Sequence, residues 1–189
     1  DGLYGVGPFF FVYSLLELAL ECVTAGIAGV VVVQCTGLVS DTEAQLVYVA
    51  VLVGCLFNGE SFGIILNSVV AHAGFSVNMI NGLCAVMQIV AGFMANALPP
   101  LLVDLNKISP QMYACRALAA SQFRAGVKFL CGGPSPICIR DGPAVLQMLG
   151  LEGIGGVHMN LLGLLLTAVA YRGLSLLALY GRARRCARQ

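Results

Sequence analysis

The sequence predicts an all-α integral membrane protein with four membrane-spanning helices and a re-entrant helical loop between the third and the fourth. Three observations indicate this fold class: 59% of the residues are hydrophobic, only 10% are charged, and the mean hydropathy is +0.90. Soluble domains have about 45–50% apolar and about 25% charged residues. The composition therefore excludes a soluble enzyme. The basic residues lack interleaved aromatic residues, which argues against a nucleic-acid partner.

Four apolar segments are long enough to cross a bilayer, which takes about 20 residues at about 1.5 Å of rise each. They lie at 9–34, 45–71, 75–97 and 157–180. The links between the first three are short, so neighbouring spans run antiparallel. Glycines inside the spans predict positions of close helix approach. They are Gly26, Gly29, Gly54, Gly63, Gly82, Gly92 and Gly163.

The segment 98–156 does not read as a span. Pro99 and Pro100 end the third helix, because proline lacks an N–H and clashes with the preceding turn. Two short helices with one apolar face each are predicted at 101–109 and 111–123. They are too short and too charged to span, so we expect them to dip into one leaflet and return, with other helices satisfying their backbone groups.

The distribution of basic residues bears on the orientation in the membrane. The tail after the fourth span carries four arginines, Arg182, Arg184, Arg185 and Arg188. The positive-inside tendency places this tail in the cytoplasm and the segment 98–156 outside. That segment itself holds five basic residues, so the count alone does not decide.

Cysteine placement gives a second indication of orientation. Cys131 and Cys138 flank a tight polar turn, and an oxidising exterior would allow them to form a disulfide. The alternative, two free thiols in a cytosolic loop, would invert the topology. Five other cysteines lie in or beside apolar runs, where we expect small packing residues. They are Cys22, Cys35, Cys55, Cys84 and Cys115.

The third span carries a polar stripe. Asn78, Asn81 and Gln88, together with Ala85, recur at spacings of three and four, so they share one helical face. Amides do not face lipid readily, which predicts that this stripe lines a substrate cavity. Hydrogen bonding between packed helices is the alternative use of such amides.

Three acidic residues lie inside predicted spans, where a carboxylate costs about 2.5–3.5 kcal/mol at a helix centre. Glu17 and Glu21 share one face at a spacing of four, which suggests either a proton relay or a surface facing the cytoplasmic side of the bundle. For Glu60, among small residues, we expect a structural hydrogen bond. No cysteine or histidine pair has zinc-site spacing, and no nucleophile–base set is visible, so neither a metal nor a catalytic site is predicted.

Three stretches together resemble the membrane domain of ABC transporters of the G subfamily, the white and pleiotropic drug resistance type. DGLYGVGPFFF is similar to the family's approach to its third span, and CIRDGPAVLQMLGL is similar to the segment before its sixth. The most specific stretch is GFMANALPPLLVDLNKISPQMYACRALAASQF, which resembles the end of the fifth span and the re-entrant helices. Its matching residues are Ile108, Ser109, Pro110, Tyr113, Ala114, Ala117, Leu118 and Phe123.

The resemblance implies that the four spans are numbers three to six of a six-span domain. It further implies an ATP-driven exporter of lipids, sterols or other hydrophobic molecules, a second membrane domain as partner, and ATP and Mg in a nucleotide-binding domain. No phosphate-binding loop occurs in this sequence, so that domain is absent from the chain. The sequence starts at Asp1, and we expect it to be a piece of a longer protein.

Two positions after the amide stripe acquire a role from the same resemblance. Phe93 and Met94 match the family's bulky apolar plug, a hydrophobic gate that excludes water. Ordinary packing at a helix end is the alternative.

Two alternatives to the ATP-driven exporter stay open. One is an ATP-independent secondary transporter or channel, with the intramembrane glutamates as coupling sites; the other is a non-functional fragment. The expected location is the plasma membrane.

Overall fold

A computed structural model describes residues 5–38, 41–70, 72–93, 99–124, 128, 141–151, 153 and 155–186. Four long helices dominate it, and each is long and apolar enough to cross a membrane, so the chain is an integral membrane protein. Three short helices connect the third long helix with the fourth. No strand occurs within these residues, where extended pairing is limited to one bridge between Lys128 and Asp141.

The long helices confirm the four predicted spans, with shifted ends. Helix α1 covers Val6–Thr36, α2 covers Thr42–Val69, and α3 covers Ala73–Gln88. After Gln88 the third helix continues as a π-helical segment, Ile89–Phe93. The remaining predicted end of this span, 94–97, lies outside the described residues.

The three short helices have a proline in their first turn, and the fourth long helix follows them. Helices α4 (Pro100–Asn106) and α5 (Pro110–Gln122) each begin on a proline, whose missing N–H costs nothing in the first turn. They confirm the two predicted short helices. Helix α6 covers Gly142–Met148, and α7 covers Val157–Cys186, six residues beyond the predicted end. The extension follows from its Arg and Ala residues, which are strong helix formers.

The core lies where α5 is held between α2 and α7. Its buried apolar side chains come from these three helices. They are Val47, Val51, Ala114, Ala117 and Leu164. An added Cβ at Gly163 would collide with the Tyr113 ring, so this glycine lets α5 approach α7.

Close approach is also seen at other predicted glycines. A Cβ on Gly54 would lie 2.5 Å from Leu164 Cδ2, and one on Gly29 would lie 2.7 Å from Val49 Cγ2. At Gly26 and Gly82 nothing lies within 4 Å, so the predicted close approach is not made there within this chain. The helix contacts concentrate on α2, which packs against α1, α5 and α7.

The outer surface of the bundle is apolar, as a lipid-facing surface must be. Large hydrophobic side chains are more than half exposed along the outer faces of α1 and α7. They include Phe9, Phe11, Leu15, Leu16, Leu20, Leu165, Leu166, Val169 and Leu177. In water this much contiguous apolar surface would promote association, whereas lipid covers it at no cost.

Candidate functional site

Helix α3 divides into three faces when its residues are placed at about 100° per residue. One face packs on the rest of the chain, and it includes the fully buried Ser76 and the half-buried Ile80, Cys84 and Met87. Its neighbours are α2 and α5. The other two faces are exposed and differ in chemistry.

The amide stripe forms one exposed face. Asn78, Asn81, Ala85 and Gln88 lie within an arc of about 80° and are all exposed. No side-chain hydrogen bond within the described residues involves Asn78, Asn81 or Gln88. The interhelical hydrogen bonds that were the alternative use of this stripe are therefore not made inside this chain.

The second exposed face of α3 is wholly apolar. Phe75, Met79, Leu83 and Val86 are exposed there, between 38% and 60% of their surface. One side of the helix thus suits lipid, and the adjacent side does not. An exposed amide in hydrocarbon loses its hydrogen bonds to water, which costs several kcal/mol, roughly 4–8 on alkane scales. The amide stripe therefore requires water or a polar partner outside this chain.

The π-helical segment lies directly after the stripe. It is fastened to the loop helices by Asn106, which is 5% exposed and donates from Nδ2 to the Val90 carbonyl at 2.9 Å. A π segment carries one surplus residue per turn and recurs at functional sites. Of the two predicted gate residues, Phe93 lies in this segment without a described side chain, and Met94 lies outside the described residues.

A buried ion pair joins the other three long helices. Arg172 of α7 donates from Nη1 to Glu60 Oε2 at 2.8 Å and from Nη2 to Oε1 at 3.4 Å. Its Nε donates to Ser14 Oγ of α1 at 3.0 Å. The Arg172 and Glu60 side chains are only 10% and 16% exposed. The guanidinium is also enclosed by two rings, at 4.9 Å from the Phe10 centroid and 4.4 Å from the Phe57 centroid.

The three predicted intramembrane acids belong to this one cluster. Glu21 interacts electrostatically with Glu60, Glu17 and Arg172, and Tyr13 interacts with both Glu17 and Glu60. Glu21 Oε2 is buried and has no hydrogen-bond partner among the described residues. The carboxyl groups of Glu21 and Glu60 thus lie near one guanidinium, and Arg172 pairs directly with Glu60.

Sequence reasoning missed Arg172, although a signal was present. It is the one basic residue in the interior of a predicted span, and a charge at that depth requires a partner. The hydrophobic pattern did not identify Glu60 as that partner, because the two residues are 112 positions apart.

A second charged contact fastens the loop end of α5 to the link between α1 and α2. Arg124 donates from Nη2 to Asp41 Oδ2 at 2.6 Å and from Nη1 to Glu43 Oε2 at 3.4 Å. The Arg124 hydrogen bond lowers the pKa of the Asp41 carboxyl below its usual value of 3.8.

The disulfide candidates Cys131 and Cys138 lie outside the described residues, so their predicted pairing stays a prediction.

Within the part of the chain that the structure describes, no group of three or more His, Cys, Asp or Glu side chains is arranged to hold a metal ion. The six described cysteines are unpaired thiols, of which Cys55, Cys84 and Cys115 are half-buried.

Residues 1–123 match the family model for the ABC-2 type transporter, which is 123 of the 189 residues. The chain belongs to the ABC-2 type transporter family. The helical bundle and the match together make it a transmembrane part of an ABC-type transporter.

One relative adds to this similarity. The chain is 29% identical over 133 residues, 69% of its length, to the Saccharomyces cerevisiae protein named "Uncharacterized ABC transporter ATP-binding protein/permease YOL075C". The match covers 10% of that yeast protein. Its printed name includes an ATP-binding part, and an ABC-type membrane domain implies pairing with such a domain.

Proposed function

We propose that this chain supplies the last four spans of a G-subfamily membrane domain, which exports lipids, sterols or other hydrophobic molecules at the expense of ATP. The amide stripe of α3 lines the substrate cavity, opposite a second membrane domain in a dimer. ATP and Mg bind in a nucleotide-binding domain outside this chain. The C-terminus is cytoplasmic, and the membrane is the plasma membrane.

One observation carries the proposal: an unpartnered amide face on an otherwise apolar membrane helix. Asn78, Asn81 and Gln88 are exposed beside the apolar face that contains Met79 and Val86. A cavity with a few amides in an apolar wall suits amphiphilic cargo, because the amides orient a polar group and the wall accepts the apolar body. The family and the stretches that resemble the G subfamily support the ATP-driven class.

The gate is the second element of the proposal. Phe93 and Met94 follow the cavity face along the third span, where an apolar constriction excludes water until the helices separate. The attachment of Val90 to buried Asn106 couples this level of the span to the loop helices.

The ATP-independent alternative would use the glutamates as coupling sites. The direct ion pair between Glu60 and Arg172 makes Glu60 a structural contact, which disfavours that alternative. The two classes differ in one measurement, namely whether transport by the intact protein stops when ATP is replaced by a non-hydrolysable analogue.

The test of the cavity uses Asn81→Leu and Gln88→Leu in the intact transporter, with Val86→Leu on the lipid-facing side of α3 as the matched control. Export of NBD-labelled phosphatidylcholine and of a rhodamine dye is measured in vesicles. Loss of one amide contact, about 1 kcal/mol, predicts about fivefold slower export for the first two variants. The control variant should export at the unmodified rate. Equal loss of export and thermal stability would instead make the amides packing residues.

A further inference from the structure

A groove lies where α1, α2 and α7 diverge, lined by residues other than those of the amide stripe. Its volume is about 350 Å³. Its wall is largely apolar, with Gly63, Ile64 and Leu179, and a charged residue, Arg182, stands at the end of α7.

Arg182 is held in place but keeps donors available. Its Nη1 donates to the backbone carbonyl of Asn67 in the last turn of α2 at 2.5 Å. This contact satisfies one free carbonyl at a helix C-terminus, where a cation is favoured. A guanidinium has five N–H donors, and the side chain is exposed, so most of them remain available to an anion.

The charges around the groove leave it electropositive at its mouth. Glu60 lines the inner end, but its charge is compensated by Arg172 at 2.8 Å. Tyr13, which lines the groove, interacts with both Glu60 and Glu17, so Glu17 lies beside the inner end of the groove. That end is at the level of Arg172, about ten residues or 15 Å from Arg182. Arg184 and Arg185 add positive charge in the same last turn, and neither forms an ion pair within the described residues.

The level of the groove mouth matches a membrane interface. Tyr180 precedes Arg182 by two positions and lies against α1, with its hydroxyl 2.9 Å from the site of an added Cβ on Gly7. Tyrosines and arginines are typical of the headgroup region, and the apolar stretch of α7 ends here.

We infer that this groove binds one anionic phospholipid, with the phosphate on Arg182 and an acyl chain along Ile64 and Leu179. The occupant is a lipid because the site joins a positive mouth to an apolar trough at the edge of a membrane span. Clustered basic residues next to a span attract anionic lipids at about 1 kcal/mol per residue. The site is separate from the proposed substrate cavity and requires only that the chain lies in a membrane.

The experiment is native mass spectrometry of the intact transporter, released from vesicles of phosphatidylcholine with phosphatidylglycerol at 0.1 M salt. The unmodified protein is expected to retain phosphatidylglycerol in preference to phosphatidylcholine. Arg182→Gln is expected to weaken that retention about fivefold, which is about 1 kcal/mol. Arg184→Gln is the matched control, since it removes the same charge from a position about 200° around the helix and outside the groove.

Two further arms separate the sources of binding. Leu179→Gln is expected to weaken retention without changing any charge, and added inorganic phosphate is expected not to displace the lipid. Absence of selectivity in the unmodified protein would overturn the inference whether or not any variant folds. Equal losses of lipid retention for Arg182→Gln and Arg184→Gln would also overturn it, as would displacement of the lipid by phosphate. So would an Arg182→Gln variant that retains the lipid unchanged but associates more weakly with the ATP-binding partner.

Discussion

Removing Arg172 should destabilise the bundle more than removing both members of its ion pair. Arg172→Leu leaves the Glu60 carboxylate buried without the guanidinium that it accepts from at 2.8 and 3.4 Å. Breaking a buried pair in this way costs about 3–5 kcal/mol, because an uncompensated charge remains. The double variant Arg172→Leu with Glu60→Leu removes both charges of the pair, so we expect it to recover about 2 kcal/mol or more of that loss.

The assay is thermal unfolding of the intact protein in detergent, followed by a fluorogenic maleimide that reacts with newly exposed thiols. Cys55, Cys84 and Cys115, which are half-buried in the folded chain, supply this readout. At about 2–4 °C per kcal/mol, Arg172→Leu should lower Tm by about 6–20 °C. Glu60→Leu completes the double-mutant cycle, and Arg116→Leu is a control for arginine removal elsewhere. If the double variant melts at or below Arg172→Leu, the ion pair is not what fixes these helices and the reasoning is refuted.

Three further predictions concern helix packing, the Arg124 contact and the orientation in the membrane. Gly54→Ala and Gly163→Ala should each lower the free energy of unfolding by about 1–3 kcal/mol, because the added methyl groups overpack against Leu164 and Tyr113, respectively. Gly26→Ala, where nothing lies within 4 Å, should be neutral or slightly stabilising in the same melting assay. Because Arg124 lowers the pKa of Asp41, their contact contributes stability above the ordinary aspartate range and loses it as pH falls through the lowered pKa. The Tm difference between the native protein and Arg124→Gln should therefore shrink below about pH 4. A Tm difference that persists there would contradict the prediction. An impermeant thiol reagent confined to the exterior should modify Cys131 and Cys138 after reduction, and modification from the cytosolic side alone would reverse the proposed topology.

The fold was predictable from the sequence because it depends on local patterns. Hydropathy located the four long helices, and Pro100 and Pro110 marked the starts of α4 and α5. Helix ends were less well placed. The tail of α7 continues to Cys186 because arginines at a membrane interface still favour helix, a preference that hydropathy does not measure.

The contacts between helices were not predictable in the same way. Periodicity identifies which residues share a face, as it did for Asn78, Asn81 and Gln88, but it does not say which helix that face meets. The pair of Arg172 with Glu60 and the tether of Arg124 to Asp41 join residues 112 and 83 positions apart. The π-helical turn after Gln88 is likewise stabilised by the distant side chain of Asn106, and no local sequence pattern predicted this turn.

The central claim is that the amide face of α3 borders water while its neighbouring face borders lipid, and thiol accessibility measures this directly. Single cysteines are introduced at Asn81, Gln88, Met79 and Val86 of the intact transporter after its native cysteines are replaced. A charged, membrane-impermeant thiosulfonate is then applied to both sides of the membrane. We predict rapid modification at positions 81 and 88 and none at 79 and 86. Equal reactivity at all four positions, or reaction at 79 and 86 alone, would contradict the account.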